Sequence, residues 1–484
     1  MLAPKRRPDH LRNRRRPSLV RAALLGLALL IAGDASAWPS RDRHDPTPPP
    51  IDPGDSRSVL SVLPEPGPSL RKKRDALEEL GVRLTGKYIG EIFANTSGGL
   101  RQGAAYDGRF RLSLDADFGK LANIPGLALH ASGLQLHGRG IDALYVGALM
   151  PPSNIEASRA TRLYELWLQQ SLFDDRINIR AGQLGSDQEF MYPIWGAVFV
   201  NGAFGWPVVD ASNLPGGGPA YPLSNVGARV TLNPNAHFSF LAAVLDGDPA
   251  GPQTPFDNAD PQRRNPDGLR FRMRDPRYVI GEAQLKYGLN GLDGVLKLGG
   301  WRHFGQFADQ RWGTDFLSLS DPNSNGVSLQ RHGDQGYYAI LDQQIGAGAG
   351  PGRGAGFFLR AGLTPNDRNL VSASADAGVS FVGVIDARPD DLFGVAVGYA
   401  RISNGARGLD RDTAFFNNPL APIRSSEELV EATYIARMAS GWYLQPDLQY
   451  IRRPGGNAPD PRDPTGVATL HNSLVLGLRT LVRF

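Results

Sequence analysis

The sequence predicts an all-β protein: a closed antiparallel barrel of sixteen membrane-crossing strands, preceded by a short N-terminal periplasmic helix. Three observations point there. The last twelve residues alternate strictly, with Leu474, Leu476, Leu478, Thr480, Val482 and Phe484 on one face and Ser473, Val475, Gly477, Arg479, Leu481 and Arg483 on the other. That period of two belongs to a strand with one face in an apolar medium and one in water. Upstream, the chain from Val82 divides into strand-like segments, sixteen in all, an even number as a single-chain barrel requires. The connections between them alternate between long and short.

Residues 1–37 read as an export signal. Lys5, Arg6, Arg7, Arg12, Arg14, Arg15, Arg16 and Arg21 form a basic start, Ala22 to Ala32 an apolar run too short to span a bilayer as a helix, and Ala35-Ser36-Ala37 a cleavage site before Trp38. The leader carries 8 of the chain's 52 Lys+Arg and 2 of its 48 Asp+Glu, so removing it leaves 44 against 46. A nucleic-acid partner has no support in that balance. The absence of cysteine excludes disulfides, thiolate metal sites and a Cys nucleophile.

Residues 38–68 hold nine prolines and read as an extended periplasmic linker. Ser69 caps a predicted amphipathic helix within 69–81, with Leu70, Leu77 and Leu80 on one face and Gly81 at its end. The barrel then occupies 82–484. Its predicted strands are 82–93, 104–117, 127–137, 163–173, 176–184, 225–232, 237–246, 278–287, 294–302, 336–345, 356–363, 371–384, 392–402, 427–438, 442–451 and 473–484. Most have the length of a tilted membrane strand. Long connections at 138–162, 185–224, 247–277, 303–335, 403–426 and 452–472 read as extracellular loops. Short ones, such as Asp174-Asp175, read as periplasmic turns.

Alternation then assigns faces. Arg83, Lys87 and Glu91 point inward from the first strand, Arg109 and Arg111 from the second, Glu165 and Trp167 from the fourth, and Arg180 from the fifth. Glu282, Arg360, Glu431, Asp447 and Gln449 follow from later strands. A lumen of both charge signs suits neutral, hydroxyl-rich solutes better than a pore lined by one sign. The forty-residue loop 185–224, with Trp195 and Trp206 among seven aromatic residues, is too apolar to stand in water. Folded into the barrel mouth, it offers aromatic rings to the C–H face of a sugar. The expected solute-contacting set is therefore Arg83, Glu91, Arg109, Arg180, Trp195, Trp206, Asp447 and Gln449.

Several stretches are similar to the carbohydrate-selective porins of the OprB type. The most specific are Glu431-x-x-Tyr434, Gln445-Pro446-Asp447-Leu448-Gln449-Tyr450-Ile451 and Pro454-Gly455-Gly456. Asn95-x-Ser97-Gly98-Gly99, Tyr164-Glu165-Leu166-Trp167-Leu168, Arg180-Ala181-Gly182-Gln183-Leu184, Glu189-Phe190 and Tyr221-Pro222-Leu223 support them. The resemblance covers roughly Leu70 to Phe484 and implies a bacterial outer-membrane barrel admitting glucose and other sugars by diffusion. A terminal strand ending on an aromatic residue resembles that of outer-membrane barrels, which makes Phe484 the expected contact for assembly machinery.

The expected partners are small sugars and outer-membrane lipid, with the barrel a monomer or a homotrimer. The main rival is a porin for another small solute, an organic acid or an aromatic compound. An outer-membrane enzyme is disfavoured: His130 and His137 are seven apart and so on opposite faces, and no His/Asp/Glu group has metal-ligand spacing. No cofactor or metal is expected. A structural or adhesive surface protein would need neither a polar lumen nor an inward loop.

Overall fold

The computed structural model describes residues 68–252, 257–347 and 354–483. The predicted leader, the linker before Pro68 and Phe484 lie outside them. A helix over Pro68–Glu79 leads into the barrel. It ends at Gly81, whose φ of +98° favours glycine and whose carbonyl accepts the Asp117 N–H at 2.8 Å. Leu77 and Leu80 of this segment are exposed.

Sixteen strands follow: β1 (Val82–Gly99), β2 (Gly103–Asp117), β3 (Leu127–Gly138), β4 (Ala160–Leu172), β5 (Ile177–Leu184), β6 (Asn225–Leu232), β7 (Phe238–Asp246) and β8 (Arg277–Leu289). The second half is β9 (Leu292–Gly313), β10 (Ser328–Ala347), β11 (Gly354–Leu363), β12 (Val371–Val382), β13 (Leu392–Ile402), β14 (Ser426–Ala439), β15 (Trp442–Arg452) and β16 (His471–Arg483). Each pairs antiparallel with its chain neighbours, and β16 returns to β1, so the sheet closes. Closure removes the edges that lipid cannot satisfy. Outward side chains such as Leu112, Leu298, Leu359, Val397 and Leu478 are exposed and apolar, as a lipid-facing belt requires.

Besides a longer β1, which runs to Gly99 where 93 was expected, two local features differ from the sequence reading. The loop expected over 303–335 is mostly strand: β9 runs to Gly313 and β10 begins at Ser328, leaving 314–327 as the connection. The alternation simply continues, with His303, Phe307 and Asp309 buried and Phe304 exposed. At 22 residues β9 far exceeds the roughly ten that cross a bilayer, so this hairpin projects beyond it. The second is a bulge on β4. Ser132 stands opposite Glu165 and Gly133 opposite Leu163, so Tyr164 is the extra residue. Tyr164 and Glu165 therefore both turn away from lipid and are buried.

The barrel interior is partly an apolar core, where alternation alone suggested a wet, polar lumen. Loop residues Val198, Phe199, Val200, Phe204 and Val208 pack with Phe93, Phe358, Ile435, Ile451 and Val475 of the inner wall. Ile141, Val146, Met150 and Ile155, from the loop between β3 and β4, join the same cluster. Burying each large apolar side chain contributes about 1.5–3 kcal/mol, which holds both loops inside.

Candidate solute pathway

The loop 185–224 is tied to the wall by inward side chains, three of which, Glu282, Arg360 and Glu431, strand alternation had already turned inward. Glu431 accepts the Val200 and Asn201 N–H groups at 2.7 and 2.9 Å. Asp342 accepts the Trp195 N–H at 3.0 Å, and Glu282 accepts that of Met191 at 3.0 Å. From the opposite charge, Arg360 donates to the carbonyls of Met191 (2.8 Å), Gly205 (2.7 Å) and Ala203, and pairs with Asp376 at 2.8 Å. Glu427 does the same for the other inward loop, accepting the Leu149 and Met150 N–H groups at 2.8 Å. Backbone groups without a strand or helix ladder must be satisfied this way once they are buried.

These straps occupy several of the wall's acids, and they divide the lumen. The acids of β8, β10 and β14 lie beneath the loop. The inner face of β16, β1 and β2 stays open to a cavity of about 670 Å³. Lys87, Arg109, Arg111 and Arg479 line it on that side. Tyr192, Trp206 and Tyr221 line it from the loop, with Glu156 and Asp187 as its carboxylates. The strip follows from the register: Lys87 stands opposite Arg111, and Ile89 opposite Arg109, on β1 and β2. Arg479 reaches it from β16, opposite Glu91.

Each of the three arginines is held differently. Arg109 lies over the Tyr221 ring at 5.1 Å. Arg111 donates to Glu165 at 2.7 Å and to Ser132 at 3.2 Å. Arg479 pairs with Glu91 at 2.6 Å and donates to Asn154 at 2.8 Å. Among the loop carboxylates, burial first and the nearby Asp142 and Asp107 second push Glu156 up to about 8. Burial and the Glu165 carboxylate likewise raise Asp187 above the usual carboxylate range.

The residues expected from sequence fall in three groups. Arg109 and Trp206 line the cavity; the Trp206 indole N–H is fixed on the Gly217 carbonyl at 3.0 Å. Glu91, Arg180, Trp195, Asp447 and Gln449 are engaged by protein. Glu91 holds Arg479 and Ser153. Arg180 pairs with Glu189, donates to Gln169 at 2.7 Å and stacks over Trp167 at 3.7 Å. Trp195 packs against the wall at Gly356, where an added Cβ would stand 1.9 Å from its ring. Gln449 accepts from Asn201 at 2.9 Å and donates to Pro152 O and Asp447 at 2.8 Å. Arg83 stands apart, exposed at the start of β1 and 3.9 Å from Glu78. Lys87, Arg111, Arg479, Tyr192 and Tyr221 also line the cavity and were not in the expected solute-contacting set, although Lys87 and Arg111 were expected to point inward. Counting the β1–β2 register back from their hairpin would have placed Lys87 and Arg111 beside Arg109.

A family model described as carbohydrate-selective porin, OprB family, matches residues 101–484. The chain belongs to that family. Porin B of Pseudomonas aeruginosa is 24% identical to it over 431 residues, spanning 84% of this chain and 88% of that protein. A putative porin, QuiX of Acinetobacter baylyi, is 20% identical over 414 residues, 79% of this chain and 87% of that one. Among solved structures, Pseudomonas putida OprB at high pH superposes with a TM-score of 0.73 at 20% identity, covering 86% of this chain and 97% of that one. The protein is thus a carbohydrate-selective porin of the bacterial outer membrane, a channel in both family and fold. In this porin the segments that carry the family resemblance, around Glu431 and Gln445 to Ile451, supply several of the loop straps. Gln445 adds one more, donating to the Val198 carbonyl at 2.8 Å.

Proposed function

We propose that glucose and other small neutral sugars pass between the cationic strip of β16, β1 and β2 and the aromatic edge of the inward loop. One observation carries this reading: Lys87, Arg109, Arg111 and Arg479 share a single cavity with Tyr192, Trp206 and Tyr221. Guanidinium and ammonium groups donate hydrogen bonds to sugar hydroxyls, while aromatic rings take the apolar C–H face. Arg109 is the foremost solute contact, with Trp206 opposite. Glu91, Arg180, Asp447 and Gln449 act on the solute through the arginine and the loop they hold, and Trp195 anchors that loop. A charged donor contributes about 1.5–3 kcal/mol when desolvated and less in a wet pore, and such weak binding is what conduction needs. If the barrel is a homotrimer, it would hold three such pathways.

The strip also favours the second reading, a small organic acid, because four cations outnumber the two carboxylates of the lining. Liposome swelling with glucose, other neutral sugars and small carboxylates separates the two. The sugar reading expects glucose flux well above that of empty liposomes and several-fold weaker glucose block of ion current in Arg109→Ala. Lipid-facing Leu112→Ala should match wild type. Flux of carboxylates alone, with glucose at the background of empty liposomes, would refute it.

A further inference from the structure

A second cleft, of about 450 Å³, lies at the barrel rim between the outward Tyr106 and His137 and the loop after β3, and shares no lining residue with the solute cavity. Tyr106, His137, Arg139, Leu144, Tyr145 and Arg159 line it. It sits at the long-loop, extracellular ends of β2 and β3. Tyr106 shares the outward face of β2 with Leu112, and it stands opposite Ile92, itself opposite Leu478. Ile92, Leu112 and Leu478 are all exposed apolar residues of the belt. Higher on the same wall, Thr96, His471 and Asn472 are exposed and polar. The cleft therefore spans the depth at which a tyrosine-lined membrane boundary gives way to lipid headgroups.

Its charge is one-sided. Arg139 and Arg159 line it, and Arg101 lies beside it with its guanidinium over the Tyr145 ring at 4.8 Å. All three are exposed, and among the described residues none is paired with a carboxylate. The acids Asp107, Asp142 and Glu156 of this region are engaged by backbone N–H groups, of Gly140, of Ala148, and of Ile141 and Asp142 respectively. Two of the arginines are already oriented: Arg159 Nε donates to Gly138 O at 2.7 Å and Arg101 Nε to Leu144 O at 3.0 Å. Their remaining N–H groups stay available in a fixed fork, the geometry that matches a phosphate.

We propose that this cleft binds the phosphate-bearing headgroup of an outer-leaflet glycolipid, whose acyl chains run down the apolar wall below Tyr106. The phosphate satisfies the free guanidinium edges, and the membrane supplies it at that depth. A second copy meeting this cleft through the same face would bring only the same unpaired arginines and no anion for them.

The test uses the full-length porin reconstituted with phosphatidylcholine and either bis-phosphorylated or dephosphorylated lipid A. Lipid retained after detergent exchange is read by mass spectrometry. Wild type should keep the phosphorylated lipid in clear preference to the dephosphorylated one, a comparison that needs no variant. The Arg139→Gln/Arg159→Gln porin should retain about tenfold less of it. Arg302→Gln, removing an outward arginine of β9 that donates to Gln335 at 2.6 Å, should retain as much as wild type. Equal retention of the two lipids by wild type would overturn the proposal. So would equal retention by wild type and the double variant, or displacement of the lipid by an identical copy in cross-linking. Competition by inorganic phosphate in the absence of any preference for lipid would assign the cleft to a soluble anion and also defeat it.

Discussion

Glu156 shows how one side chain couples the pathway to pH. Its carboxylate accepts the Ile141 and Asp142 N–H groups at 3.1 and 3.0 Å while lining the solute cavity. Burial, with Asp142 and Asp107 close by, lifts it from the ordinary 4.5 to about 8. When the loop opens, Glu156 regains its ordinary value, so between those two limits the closed form holds more protons than the open one. Loop stability is therefore greatest below about 4.5 and falls as pH rises toward about 8. Amide exchange at Ile141 and Asp142, corrected for intrinsic rates, should show protection declining across that window. Glu156→Gln keeps an acceptor oxygen without the charge and should flatten much of the decline; an unchanged pH slope in that variant would remove Glu156 as the cause. None of this was legible in the sequence, because Glu156 lies in a loop where strand alternation assigns no face.

Among the elements, the inward loop is where sequence and structure inform each other most. Its apolar composition correctly placed it against something dry, since forty residues with seven aromatics cannot stay solvated. Composition does not say which wall it meets, however, and that wall is the one built from Glu282, Asp342, Arg360, Glu431 and Gln445. Inward charges that looked like a solute-facing surface are the acceptors and donors of the loop backbone. Glu431→Ala tests this directly. Leaving the Val200 and Asn201 N–H groups buried without an acceptor costs about 1–3 kcal/mol each, while the strand pairing of β14 is untouched. Hydrogen exchange at Val200 and Asn201 should rise at least tenfold, with the barrel still migrating as a folded species on an unheated gel. Glu428→Ala, which removes an outward rim carboxylate paired with Arg453, should leave those amides protected. Protection equal to wild type in Glu431→Ala would mean that packing, not the carboxylate, holds the loop.

At the scale of the whole molecule, the strand number, the order of long and short connections and most strand boundaries, though not the far ends of β1, β9 and β10, follow from period-two patterning and turn residues. Those are local signals, which one chain displays in full. The barrel's closure is not local: nothing in the alternation of β16 states which strand it meets. The structure shows one determinant of that match. Gly477 of β16 stands opposite Phe93 of β1, whose ring is buried in the largest apolar cluster. A Cβ at 477 would lie 2.2 Å from Phe93 Cε1, far inside van der Waals contact. Gly477→Val should therefore block the last pairing, because neither the strand backbone nor the enclosed ring has room to yield. The expected result is loss of the heat-modifiable folded band while β1 to β15 remain chemically unchanged. Phe93→Ala costs about 3–5 kcal/mol of packing but leaves the seam free to close. Adding Phe93→Ala to Gly477→Val should restore a folded band, since the two changes remove and refill one volume. A Gly477→Val barrel that closes as efficiently as wild type, or a double variant no better than the single, would show that the seam is set elsewhere, with the Glu91–Arg479 pair across the same two strands the next candidate.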